Sequence, residues 1–316
     1  EQELLASMAQ VEVLLRDSIE GKYPLVIETS RHLVDAGGKR LRPLLTLIAS
    51  QFGNPKAKGI IEAAVVCELT HLGTLYHDDV MDEAPLRRGV ESANNRWNNT
   101  VAILTGDYLF AKTSQLLADL GPEAVRLQAF TFERLVIGQI TETQGSSEGK
   151  TQLEHYLNVV ADKTASLISA SARYGAMISG ADIKVMDALT KFGEEIGTVF
   201  QLADDIIDIA SDSKESGKTP GTDLREGVPT LVTLFILESN DPADAELKKL
   251  LSAPITDEAV VAETILKLRS HSALTKSREL VAGYGRSAQK HLEALPEGPA
   301  KAALVGLSQA VISRTS

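Results

Sequence analysis

Apolar residues recur at intervals of three and four along nearly the whole chain, and that period limits what the chain can become. Leu4, Met8, Val11 and Leu15 set the pattern at the start and place one apolar stripe on one face of a helix. Alternation of the kind that builds half-buried strands is hard to find. Turn formers separate the helical blocks at Gly37-Gly38, Gly53-Asn54-Pro55, Gly121-Pro122, Asn240-Asp241-Pro242 and Pro296 to Pro299. The blocks near 59–83, 151–179 and 182–211 are long and rich in Ala, Leu, Ile and Val, as helices enclosed by other helices read. The pattern predicts an all-α fold, a single-domain bundle of ten or more helices over residues 1–316, without a long linker or a solenoid period.

Composition narrows the function classes. Lys and Arg total 32 against 43 Asp and Glu, a net charge of -11, which has the wrong sign for a counterion-driven grip on nucleic acid. Any anionic ligand must therefore be held by local cations or by metal. Cys67 is the only cysteine, so an intrachain disulfide and a cysteine zinc cluster are excluded. It reads as a small buried apolar residue, and the cysteine usage suits a reducing cytoplasm. No run of eighteen apolar residues predicts a membrane span. The chain opens on Glu1 rather than Met, which leaves a removed N-terminal segment open.

Two short stretches repeat one acidic pattern, Asp-Asp-x-x-Asp: Asp78, Asp79 and Asp82, then Asp204, Asp205 and Asp208. On a helix, positions i and i+4 stack on one face while i+1 lies about 100° around, so each motif is expected to offer three carboxylates along one edge. Like charges so close repel, and Asp is a poor helix former, unless a cation sits between the oxygens. Hard oxygen ligands favour Mg²⁺ or Ca²⁺ over zinc. A lone acidic edge is usually solvated surface. Two copies in apolar surroundings point instead to a paired metal site.

Cations flank these motifs. Gly37-Gly38-Lys39-Arg40-Leu41-Arg42-Pro43 puts three of them on a glycine-loosened turn where backbone N–H groups can approach an anion. Arg87-Arg88-Gly89 follows the first motif, Lys163-Thr164 opens a helical block, and Lys218 lies in a Gly-rich loop after the second motif. Glycine and the acidic motifs beside them separate these residues from ordinary surface charge.

Together the stretches at 37–43, 68–89, 106–112, 163–164, 200–209 and 217–230 resemble the trans-isoprenyl diphosphate synthases, or polyprenyl synthetase family, in the family's order. The resemblance implies the isoprenoid synthase fold, helices around a deep central cavity, usually as a homodimer. It implies condensation of an allylic diphosphate with isopentenyl diphosphate. Asp78, Asp79, Asp82, Asp204, Asp205 and Asp208 would then bind Mg²⁺, three ions per site. Arg87, Lys163 and Lys218 would contact the allylic diphosphate, and Lys39, Arg42, His71 and Arg88 would hold isopentenyl diphosphate. Thr164 and Gln201 would lie near the developing cation.

The implied chemistry explains the residue types. An allylic C–O bond ionises only if the charge of the leaving diphosphate is neutralised as it forms. Dry apolar walls then let the alkene of isopentenyl diphosphate, not water, attack the cation. The departing diphosphate is the expected proton acceptor, with His71 and His77 as hydrogen-bonding or orienting groups. The lipid product implies peripheral membrane contact for release, though no basic amphipathic stretch marks a surface for it.

Gly73 and Thr74 lie five and four residues before Asp78, where short-chain members of the family place a bulky floor. Both side chains are small, so the tail is expected to run at least one helical turn, about 5.4 Å, further, toward Leu69, Thr70 or Val66. That implies a medium- or long-chain all-trans product, of about C30 to C50. The other reading of Gly73 is that it permits close helix packing. Val228 and Val232 stand where many short-chain members carry lysine and proline, which agrees with the longer type. The alternatives are a short-chain geranylgeranyl or farnesyl synthase, a terpene cyclase, and a non-catalytic subunit of a heteromeric synthase.

Overall fold

The computed structural model describes residues 2–146, 149–210 and 220–315. Lys218 lies outside the described residues. Ten labelled helices carry the first two-thirds of the chain: α1 Gln2–Ser18, α2 Pro24–Asp35, α3 Leu41–Ser50, α4 Ile60–Met81, α5 Ala93–Arg96, α6 Asn99–Leu120, α7 Pro122–Gln144, α8 Gln152–Val160, α9 Ser166–Ile178 and α10 Ile183–Ala210. Further helices follow, with Glu258–Ser270, Ser272–Leu292 and Pro299–Ser313 the longest of them. Among the described residues the only sheet is a hairpin, β1 Leu86–Arg87 against β2 Val90–Glu91. The fold is all-α as the apolar period requires, and the block at 182–211 is one 28-residue helix.

The chain divides into two compact units, Glu1–Phe132 with Leu167–Thr190, and Glu133–Ser166 with Lys191–Ser316. In the first, α4 is enclosed on nearly every side: Ala64, Val65, Leu69, Leu72 and Tyr76 pack with Val11, Leu15 and Leu33, while Ala63, Val66 and Cys67 join a second cluster with Leu117 and Tyr174. Each fully buried aliphatic side chain there contributes about 1.5–3 kcal/mol. The Tyr76 hydroxyl donates to the Thr29 carbonyl at 2.5 Å and accepts the Leu33 N–H at 3.2 Å, so its burial leaves no polar group unsatisfied. Cys67 is buried, and burial pushes its thiol up to about 11, in keeping with an inert apolar role.

In the second unit, Ile196, Val199, Leu202, Ile206 and Ile209 of α10 are buried. Leu231–Leu237 packs on Ser272–Leu292, which in turn packs on Pro299–Ser313. Helix α8 begins with a reciprocal cap: the Glu154 N–H donates to Thr151 Oγ1 at 3.1 Å and the Thr151 N–H to Glu154 Oε2 at 2.9 Å. The block at 151–179 is less uniform than its sequence. Between α8 and α9, residues Ala161–Ala165 widen into a π-helical turn. Lys163 and Thr164 therefore do not open a helical block; they sit inside one, at a turn that carries an extra residue.

Candidate active site

In the first unit the last turn of α4 carries Asp78 and Asp79, and Asp82 forms its C-cap. The three carboxylates are not equivalent along one edge. Asp79 is fully buried, Asp78 half-buried and Asp82 exposed. Arg87 on β1 explains the inward turn, because its Nε and Nη2 both lie 2.6 Å from Asp79 Oδ1. The hairpin that delivers Arg87 turns through Arg88 and Gly89, both with positive φ, 55° and 78°. Two such residues make the turn whose twist matches antiparallel strands. Asp79 Oδ2 is buried without a hydrogen-bond partner. Desolvation raises the Asp79 pKa against the pull of Arg87. A buried, unpaired carboxylate oxygen at the mouth of a helix is the kind of donor that a hard cation completes, so the residues present fit a divalent ion.

The basic groups gather nearby. Arg40, at the left-handed N-cap of α3, donates to Glu12 at 2.5 Å, to Glu68 at 2.9 Å and to the Val34 carbonyl at 3.2 Å. Arg88 donates to the Leu33 carbonyl at 2.8 Å and to the Gly37 carbonyl, and lies 3.7 Å from Glu68. Arg42 is deep enough that burial lowers its pKa, and its Nε has no partner. His71 stands in the field of Arg42, Arg88, Arg87 and Arg40; desolvation first, then those charges, hold it well below its ordinary pKa and therefore neutral. Lys39 is exposed beside them. The structure thus brings Arg42, Arg87 and Arg88 around His71. Two members of the cluster were missed. Arg40 was seen only as part of a basic turn, and Glu68 was not singled out, although a carboxylate within the apolar run of α4 has to be paired to be buried.

Thr74 Oγ1 donates to the His71 carbonyl at 2.7 Å, and His77 Nε2 lies 2.9 Å from the Ile103 carbonyl. Gly73 is not an open position. A Cβ there would lie 2.7 Å from Phe110 Cε1, so the ring of Phe110 occupies the room that the missing side chain leaves.

In the second unit Asp204, Asp205 and Asp208 lie on the last turns of α10, again with the middle residue buried. Asp205 Oδ2 accepts from the Tyr156 hydroxyl and, at 3.3 Å, from the Leu231 N–H; Oδ1 accepts from Gln201 Nε2 at 3.2 Å. Burial pushes its carboxyl up to about 6 despite these donors. Gln201 Oε1 accepts from Thr164 at 3.4 Å, so Thr164, Gln201 and Asp205 form one connected chain. Asp208 accepts the N–H groups of Thr222 and Asp223 at 3.3 and 3.4 Å, and Asp204 pairs with Arg314 at 2.8 Å.

Lys163 donates to Glu142 at 2.7 Å. Its π turn is held by Arg134, which bonds Asp162 at 2.8 Å, the Ala161 carbonyl at 3.2 Å and Glu194 at 2.5 Å, while Gly138 lets the backbone of Lys163 approach. Tyr156, Arg134 and Arg314 were missed because their partners are 27 to 110 residues away. Among the described residues no three Asp, Glu, His or Cys side chains converge to cage a metal by themselves. Mg²⁺ is commonly held by one or two carboxylates and completed by phosphate oxygens, a pattern this donor set can supply.

A bundle carrying two Asp-rich helix ends, the first beside a buried basic cluster, defines a class of enzyme that handles a diphosphate. The chain belongs to the polyprenyl synthetase family, whose model, described as Polyprenyl synthetase, matches residues 23–268. It is an enzyme, a prenyltransferase. A nonaprenyl diphosphate synthase of Mycobacterium tuberculosis is 47% identical over 98% of this chain and 92% of its own length. Among solved structures, a geranylgeranyl pyrophosphate synthase of Corynebacterium glutamicum, complexed with calcium and isoprenyl diphosphate, has a TM-score of 0.90 at 42% identity, covering 100% of this chain and 97% of that one. A decaprenyl diphosphate synthase of Rhodobacter capsulatus gives 0.91 at 32% identity, covering 100% and 98%. No helix among the described residues is long and apolar enough to cross a membrane.

Proposed function

We propose that the protein is an all-trans polyprenyl diphosphate synthase that joins isopentenyl diphosphate to an allylic diphosphate and gives a medium- or long-chain product. The observation that carries this reading is the basic cluster of Arg40, Arg42, Arg87 and Arg88 around neutral His71, next to Asp79 with its unpaired buried oxygen. Of these, Arg42 keeps a buried Nε without a partner, and a desolvated donor of that kind acts strongly on a diphosphate. The likeness to a nonaprenyl diphosphate synthase supports the longer product.

In this reading Asp78, Asp79, Asp82, Asp204, Asp205 and Asp208 hold Mg²⁺, which when bound neutralises the leaving diphosphate. Arg87, Lys163 and Lys218 take the allylic diphosphate, while Lys39, Arg42, His71 and Arg88 orient isopentenyl diphosphate. His71, neutral, donates a hydrogen bond rather than a charge. The Thr164–Gln201 pair presents dipoles to the developing cation. The chain works as one catalytic domain in the cytoplasm and as a homodimer. Exposed Ile103, Leu104, Phe130, Ile137 and Ile140 on α6 and α7 support that assembly, and its apolar product requires contact with a membrane surface for release.

The test is to incubate purified protein with Mg²⁺, labelled isopentenyl diphosphate and a series of allylic primers, then to weigh the products. Elongated all-trans diphosphates are expected. Unconsumed isopentenyl diphosphate would point to a cyclase or a non-catalytic subunit. Light scattering of the same sample at twice the chain mass checks the dimer.

A further inference from the structure

The turn at Ala161–Ala165 departs from α-helical bonding, and its surroundings hold it there. The Ser166 N–H donates to the Ala161 carbonyl, five residues back, so the Asp162 carbonyl loses the partner that an α-helix would give it. The hydroxyl of Ser166 takes that place at 2.5 Å.

Two residues of α7, one turn apart on one face, complete the support. A Cβ on Gly138 would lie 2.8 Å from the Lys163 nitrogen and 3.1 Å from Asp162 Cβ, so the turn rests directly on the α7 backbone. Arg134 spreads its fork in two directions. Its Nε donates to Asp162 Oδ1 at 2.8 Å and its Nη2 to the Ala161 carbonyl at 3.2 Å, while Nη1 and Nη2 donate to the carboxylate of Glu194 at 3.1 and 2.5 Å.

Glu194 lies on α10 seven residues before Gln201, two turns along the same face. One guanidinium therefore ties the turn that carries Lys163 and Thr164 to the helix that carries Gln201. The contact it governs is long. Thr164 Oγ1 stands 3.4 Å from Gln201 Oε1, a length at which a hydroxyl only just donates, so a small slip of either helix breaks the bond. The groups assigned to isopentenyl diphosphate, Lys39, Arg42, His71 and Arg88, stand on elements other than α7, α10 and this turn.

We infer that Arg134 is a positioning residue for the ionisation step: without touching substrate, it sets the register of Lys163 and Thr164 against Gln201. The inference rests on the synthase reading, in which Lys163 meets the allylic diphosphate and the Thr164–Gln201 pair faces the developing cation.

Steady-state kinetics with each substrate varied in turn test it. Arg134→Lys keeps the charge but replaces a planar fork by a single ammonium, which cannot bridge both helices. It lowers kcat by about ten- to a hundredfold and raises the KM for the allylic primer, while the KM for isopentenyl diphosphate stays within about twofold. A merely structural role would shrink the active fraction, which lowers kcat and moves neither KM; that result overturns the inference. Thr164→Ala costs less in the Arg134→Lys background than alone, because the pair is already out of register. Additive losses, equal rises in both KM values or an unchanged kcat overturn the inference as well. Should Arg134→Lys not fold, Ser166→Ala loosens the same turn without altering a charge; the same pattern at about threefold is expected, and wild-type kinetics overturns. Wild-type protein that consumes no isopentenyl diphosphate fails the synthase reading itself, which separates the two failures.

Discussion

Asp79, the middle residue of the first acidic motif, is held by the guanidinium of Arg87 and keeps one oxygen unpartnered, whereas Asp205, its counterpart in the second, is held by a tyrosine hydroxyl, a glutamine amide and a backbone N–H. Both are buried, and desolvation raises both carboxyls. A charge answers a charge in the first motif, and its spare oxygen can still serve a metal. Neutral dipoles answer the charge in the second, and the oxygens they occupy are less available. One sequence pattern therefore supports two different electrostatic tasks.

Removing the compensating charge should do most to break this comparison. Arg87→Ala leaves Asp79 buried without its cation and is expected to cost about 2–4 kcal/mol, the lower end reflecting the partial exposure of Arg87, as read by urea unfolding. Next comes the metal. Saturating Mg²⁺ with inorganic diphosphate should raise the unfolding midpoint of the wild type, corresponding to about 2.7 kcal/mol of added stability at a hundred times Kd. Asp79→Asn should lose most of that rise and Asp205→Asn keep most of it; equal losses would erase the distinction between the motifs.

Tyr156→Phe removes one of three donors to Asp205 and should cost about 1–2 kcal/mol in the same unfolding assay. The smallest effect is on pH. With its carboxyl near 6, folded Asp205 binds a proton that the unfolded chain, with an ordinary value near 4, has released. Its contribution to stability in metal-free buffer therefore falls as pH rises from about 4 to 6. Tyr156→Phe should extend that window upward, measurable as a shifted pH–stability profile.

Local signals were legible. The three long blocks, both acidic motifs and the Arg87-Arg88 pair all appear where spacing and adjacency put them. The inward turn of Asp79 was not legible, because it depends on a hairpin closing through a left-handed Arg88 rather than on helix geometry alone. The Phe110 seat joins positions 73 and 110, and the π turn needs Arg134 and Gly138 from another helix. Such pairings are decided by tertiary packing, which periodicity cannot reach.

The π turn at Ala161–Ala165 has a consequence for how this stretch tolerates insertions and deletions. Each residue advances a helix by about 100°, so excising one alanine from the turn would let α8 and α9 wind on in ordinary register. Side chains on one flank would then be rotated by that angle relative to the other. Thr164 would swing away from Gln201 although no contacting side chain had been changed, and a lineage drifting by single-residue gaps would lose this alignment before it lost the helix.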